Sequence, residues 1–364
     1  MDFTFDEDQI ALQGVARQAL EREVDGALVR RLADDPVGVD DGLWGRLVDL
    51  GWTGLLIPAS AGGAGAGLLE TCIVVEQMGR IPFPGPFFSS AVYATLAARA
   101  LGADELLPAL AAGERRGTVA LHELGHGDPL GTVRARARRK GADWVVSGLK
   151  PLVLDGHSAD WVIVVARTEE GIRSFLYEHP VAQAVPTLDP LRKAARLELD
   201  EHPMVPIGPP GNQGALWRRV LDDTAVALAS ETVGVADRAL ELAIGYTSGR
   251  EVFGRPIATF QVAKHKMVDM FHLLEMGRVG AQYAAWASDV ESPDRERAAA
   301  MAAGYCAEAG VKVTGDDIQL HGGVGFTWSN DSHFLFKRAK MNEVLFGGVS
   351  FERARLAHML LEPA

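Results

Sequence analysis

At 364 residues the chain exceeds one average domain, which predicts two or three packed modules sharing a substantial core. Its composition, 48% hydrophobic and 23% charged, is that of a globular protein, and a formal charge of −12 argues against a nucleic-acid surface, which needs clustered Lys and Arg. Two cysteines far apart in sequence, Cys72 and Cys306, point to a reducing compartment and against a disulfide framework, and no His, Cys and acid cluster has metal-ligand spacing.

The N-terminus is acidic where a signal peptide would be basic and then apolar, and no apolar run reaches the length of a membrane span, so a cytoplasmic protein is expected. Residues 1–116 read as an all-α domain. Helices are predicted over 6–24, 42–50, 68–79, 89–100 and 106–113 from apolar residues at helical spacing. The glycine-rich stretch 59–67 lacks the Gly-Lys-Ser/Thr ending of a phosphate loop and is read as a connection. Between 117 and 210, short β-prone runs at 118–121, 133–137, 144–147, 161–165 and 172–177 predict a small antiparallel β-domain or barrel. The basic run 134–140 alternates with Ala and is read as the solvent face of a strand. From 211 to 364 helices return, at 216–245, 261–290, 294–320 and 334–359, enough for a four-helix bundle.

Two blocks in this last region carry chemistry. The corner between the first two bundle helices holds Arg250, Phe253, Gly254 and Pro256, with Gln261 opening the next helix. An arginine beside backbone N–H groups at a helix start is a ready site for a phosphate or pyrophosphate, although a surface ion pair of Arg250 with Glu251 or Asp269 is the other reading. Further on stand Gln319, Gly322, Gly323, Gly325 and Phe326.

The first block matches Arg-x-x-Phe-Gly with a Gln eight residues past the Phe, and the second matches Gln-x-x-Gly-Gly-x-Gly-aromatic. In this order they resemble the acyl-CoA dehydrogenase family, and the succession of all-α, β and helical-bundle segments extends the resemblance over nearly the whole chain. The resemblance implies an α+β fold with an N-terminal helical domain, a middle antiparallel β-domain and a C-terminal four-helix bundle. It also implies FAD as cofactor, held in part by Arg250, Phe253, Gln261, Gln319, Gly322 and Gly323 across a subunit interface. Gly322 has a second reading as a helix terminator. The implied reaction is α,β-dehydrogenation of an acyl-CoA or acyl-carrier thioester, with an electron-transfer flavoprotein as acceptor and a dimer or tetramer as the assembly.

That reaction needs a carboxylate base with a raised pKa. Most family members place it in Tyr-Glu-Gly-Thr, where this chain reads Leu345-Phe346-Gly347-Gly348, and phenylalanine takes no proton. Other members carry the base on the first long bundle helix, which here contains Asp222, Asp223 and Glu231. Glu231 stands alone among acids in the apolar run 225–236 and is the first candidate, and Asp223 is the second. Against these stand a buried arginine partner for Glu231 and a helix cap for Asp222 and Asp223. The segments that contact the flavin ring in typical members are also changed, to residues 122–129 and 151–156 here. These departures resemble actinobacterial-type members acting on sterol side chains or bulky acyl thioesters. Some of those are heterotetramers, so a non-catalytic or FAD-site-completing subunit is the alternative, and a flavin oxidase or monooxygenase on the same fold is a further one.

Overall fold

Local capping sets the first helix. In the computed structural model, which describes residues 4–123, 125 and 127–361, Asp6 accepts from Gln9 N at 2.8 Å and Gln9 Oε1 accepts from Asp6 N at 3.2 Å. This capping box opens α1 (Glu7–Glu23). Helices α2 (Gly26–Asp34), α3 (Asp41–Asp49) and α4 (Leu68–Arg80) follow. The glycine-rich stretch folds back on residues 54–57: Ala64, Gly65 and Ala66 donate their N–H groups to the carbonyls of Gly54, Ile57 and Leu55. Those donors are therefore unavailable to a phosphate, in keeping with the connection read from sequence. The helix predicted over 89–100 is a π-helical run (Phe87–Ala94) continued by α5 (Thr95–Leu101), and α6 (Leu107–Ala111) completes the first helical segment.

Strand begins at Gly117 and helix returns at Gly214. The strands are β1 (Gly117–Ala120), β2 (Arg136–Lys140), β3 (Asp143–Leu154), β4 (Trp161–Thr168), β5 (Gly171–Glu178), β6 (Gln183–Val185) and β7 (Ala194–Ile207). Their order is β1-β4-β2-β3-β7-β5, and β5 also pairs with β4, so five of them close on themselves around Val146, Val162, Val164, Phe175 and Leu197. The antiparallel expectation needs one correction: β1–β4 and the single β2–β4 bridge are parallel. β7 lies outside the runs predicted as strand because its acids and the prolines Pro203 and Pro206 have low strand propensity, although Arg196, Glu198 and Asp200 alternate on its solvent face.

The bundle helices are α7 (Gly214–Gly249), α8 (Gln261–Asp289) and α9 (Arg295–His321). The single helix expected over 334–359 is instead α10 (Ser332–Val344) and α11 (Gly348–Leu361), because Phe346 takes a left-handed φ of 57° ahead of Gly347 and Gly348. No helix among the described residues is long and apolar enough to cross a membrane.

By internal contacts the chain forms two compact units. One contains the chain up to Val29, Cys72–Phe83 and everything from Ala225; the other contains Arg30–Thr71 and Pro84–Thr224. In the first unit α4 and α7 meet backbone to backbone. A methyl group on Gly79 would overlap the carbonyl of Glu231, and one on Gly234 would overlap the carbonyl of Glu76. Gly79→Ala or Gly234→Ala should therefore destabilise the protein by roughly 3 kcal/mol or more in urea unfolding. Gly14→Ala, with nothing within 4 Å of the new methyl, should instead gain about 0.5–1 kcal/mol from helix propensity.

Candidate functional site

The corner after α7 is a two-residue hairpin, β8 (Glu251–Val252) and β9 (Arg255–Pro256), with Phe253 at φ 54° and Gly254 at φ 75° in its turn. The turn projects Phe253 outward, 93% exposed. Arg250 closes α7 through its N–H to Tyr246 O at 2.9 Å and receives Ile257 N on its own carbonyl. Its guanidinium makes no hydrogen bond or ion pair among the described residues, so the ion pair with Glu251 or Asp269 is not formed.

The second block lies at the same end of the bundle. Tyr246 stacks on His321 at a centroid distance of 4.4 Å, joining the last turns of α7 and α9. His321 Nδ1 lies 2.9 Å from Asp317 Oδ1. Burial opposes charging of this imidazole, but hydrogen bonding to Asp317 outweighs it and holds the pKa above its ordinary value. Gly322 caps α9 at φ 62°, and neither it nor Gly323 has another atom within 4 Å of where a side chain would begin. Gln261 and Gln319 are both exposed. The tip of the bundle thus presents an unneutralised guanidinium, two amides and bare glycine backbone, a donor set that fits the phosphate end of a nucleotide cofactor.

The candidate bases sit differently. Glu231 is buried, with Oε1 accepting from Arg338 Nη1 at 2.8 Å and Oε2 from Asn342 Nδ2 at 2.9 Å. Arg338 also donates to Phe83 O at 3.0 Å. This is the arginine partner left open in the sequence. Arg338 and Asn342 are one helical turn apart on α10 and are buried with Phe334, Leu335, Ala339 and Met341. Asp222 and Asp223 are buried more than about two turns inside α7, so the helix-cap reading is corrected. Asp223 Oδ2 lies 3.7 Å from Arg219 Nε. Phe346 is buried beside Thr232, Asn342 and Glu343, on a pocket of about 20 Å³, and Glu343 is paired with Lys340 at 2.5 Å. Such a space holds about one water.

In the second unit Glu123 is held internally. Its carboxylate accepts from Arg134 N at 2.7 Å, Ala135 N at 3.0 Å and Lys150 Nζ at 2.6 Å. Lys150 is fully buried and also donates to Leu121 O. Leu124 and His126, in the same 122–129 segment, lie outside the described residues.

The architecture is a helical segment, a closed sheet and a helical bundle whose tip carries exposed donors. Family models agree: the acyl-CoA dehydrogenase N-terminal domain matches residues 6–114 and the C-terminal domain residues 212–361. The acyl-CoA dehydrogenase IpdE2 of Mycobacterium tuberculosis is 33% identical over 92% of this chain and 91% of that protein. Among solved structures, a Tcur3481–Tcur3483 steroid ACAD variant superposes with a TM-score of 0.90 at 32% identity, covering 98% of each chain. The ChsE4–ChsE5 complex from Mycobacterium tuberculosis does so with a TM-score of 0.90 at 28% identity over all of both chains. The chain belongs to the acyl-CoA dehydrogenase family, whose members use FAD.

Two outcomes follow from the buried charges. Glu231→Gln leaves Arg338 without its anion and should lower stability by about 3 kcal/mol in urea unfolding. Burial lowers the Lys150 pKa from 10.5 to about 8, against the pull of Glu123. The unfolded chain therefore binds more protons between those values, and the fold gains stability as pH rises through that window. A Lys150→Met, Glu123→Gln double variant should lose this gain, about 3 kcal/mol, when its unfolding free energy is compared with wild type from pH 8 to 10.5.

Proposed function

We propose that this chain serves FAD-dependent α,β-dehydrogenation of an acyl-CoA thioester as the cofactor-site-completing subunit of a heteromeric complex, with a second family chain supplying the base. The observation that carries this reading is the buried Phe346 at the family's base position, together with a Glu231 whose two oxygens are both engaged. A base must change its protonation during turnover, and a carboxylate clamped by Arg338 and Asn342 is favoured in its charged form. We therefore assign Glu231 an anchoring role. Asp223, near Arg219, is the remaining candidate for a base within this chain.

When bound, FAD supplies the acceptor for the β-hydride. Arg250 offers charge neutralisation to its phosphates, Gln261 and Gln319 offer hydrogen bonds, and Gly322 and Gly323 permit close backbone approach. Phe253 would cover the cofactor's edge. All of these lie on the outside of the bundle, which suits a cofactor shared with another subunit. Exposed Val262, Val268, Phe271 and Val279 on α8 extend an apolar surface that suits the same assembly. The two-component names of the Tcur3481–Tcur3483 and ChsE4–ChsE5 relatives support a heteromer, and the steroid label of the first supports a bulky, ring-bearing acyl group. An electron-transfer flavoprotein is the expected electron acceptor.

The test is to purify the chain alone and with a co-expressed family partner, then titrate each anaerobically with a panel of acyl-CoA thioesters. Sub-stoichiometric flavin alone, and stoichiometric flavin bleached by a thioester in the complex, are expected. Arg250→Met and Gln319→Ala should each weaken FAD retention in the complex by about ten-fold or more. Stoichiometric flavin in the lone chain, bleached by a thioester and unresponsive in Glu231→Gln or Asp223→Asn, would instead establish a self-sufficient dehydrogenase.

A further inference from the structure

Beyond the cofactor end of the bundle, the first unit contains a separate cavity of about 260 Å³ bordered by α1, the end of α4, α7 and the start of α10. We propose that it binds a small organic monocarboxylate with an apolar body.

One part of the cavity's polar lining supplies hydrogen-bond donors. Gln77 is 1% exposed and its Oε1 accepts from Arg17 Nε at 3.0 Å, which fixes the orientation of the amide. Its Nε2 then points away from Arg17 and finds no hydrogen-bond partner among the described residues. A buried N–H without an acceptor is costly, and a ligand oxygen would relieve it. Three guanidinium groups, Arg17, Arg80 and Arg238, border the same space. Arg80 pairs with Asp237 and with Glu241, and Arg238 pairs with Glu241 at 2.9 Å, so two carboxylates serve two of these cations. A guanidinium has five N–H donors in a planar fork, and such pairing leaves further donor capacity. The cations also crowd one another: burial, and then the charge of Arg17, hold the Arg80 pKa below its ordinary value. An anion placed among them reduces that repulsion.

The rest of the wall selects the kind of anion. Leu20, Val24, Val29, Ile81, Pro82 and Leu335 line it with apolar surface, suited to an aliphatic or cyclic body. Glu21, Asp25 and Asp331 also border the space. Asp25 is committed to the α2 cap through Leu28 N at 2.8 Å, but its charge and those of Glu21 and Asp331 disfavour a phosphate dianion. A single carboxylate, accepting from Gln77 Nε2 and a guanidinium fork, meets the donors with the least repulsion.

The experiment is calorimetric titration of the purified protein, in whichever assembly it forms, with hexanoate, hexan-1-ol, hexylammonium and inorganic phosphate. Saturable hexanoate binding, with the other three at least about ten-fold weaker, is expected. Gln77→Leu should weaken hexanoate by at least about ten-fold while the ligand-free protein keeps its thermal midpoint, since the variant removes the unsatisfied donor. Arg17→Met, at an exposed position that leaves the core intact, should weaken hexanoate in the same direction and keeps the test decisive if Gln77→Leu folds poorly. Absence of saturable hexanoate binding would overturn the proposal. So would equal binding of the alcohol, preference for phosphate, or wild-type affinity in the variants. None of these outcomes depends on flavin or thioester, so failure here is distinguishable from failure of the dehydrogenase reading.

Discussion

Much of the first unit depends on the contact of two helix backbones. α4 carries Glu76 three residues before Gly79, and α7 carries Glu231 three residues before Gly234, and each glycine rests on the carbonyl of the other helix's glutamate. With no side chain at either glycine, the helix axes approach as closely as backbone permits. The same approach draws both glutamates inside, where an unpaired carboxylate would be expensive. The unit answers with arginines from two further helices. Arg278 of α8 reaches Glu76 at 3.3 Å, and Arg338 of α10 reaches Glu231 at 2.8 Å. Burial still pushes the Glu76 carboxyl above its ordinary value, with Arg278 pulling the other way.

This arrangement bears on catalysis because it uses the acid that an apolar stretch of α7 would otherwise leave free for proton transfer. Glu231 is tied to Arg338 and Asn342, and Asn342 in turn donates to Thr232 at 3.0 Å. The residues beside Phe346 are therefore part of a rigid polar knot, and the space they leave is water-sized. An interior arranged this way anchors helices well and moves protons poorly.

The outer end of the bundle has the opposite character. Tyr246 and His321 hold the ends of α7 and α9 together, while Arg250, Gln261 and Gln319 keep their side chains at the surface without internal partners. Polar groups that the fold leaves unsatisfied at an exposed site are available to a ligand at little reorganisation. The contrast between a committed interior and an uncommitted tip is the physical basis for reading this chain as a contributor to a shared site.

The helices, the β segment and the two motif blocks are legible in the sequence, because apolar periodicity, Gly and Pro punctuation and short motifs are local properties. Arg250, Phe253, Gln261, Gln319, Gly322 and Gly323 could be picked out for the same reason. Local pattern could not show that β7 closes the strands into a barrel, since its pairings with β3 and β5 join residues far apart in sequence. Nor could it show that residues 334–359 break at Phe346, where a bulky residue adopts a conformation usual for glycine. Sequence alone does not separate a base from an ion-pair partner at Glu231, because its partners lie more than a hundred residues away, at Arg338 and Asn342. Residue type and spacing determined which groups were available for chemistry. Only the tertiary structure decided which of them are neutralised by a distant charge and which remain free, because burial and pairing are properties of packed helices and not of the segments that form them.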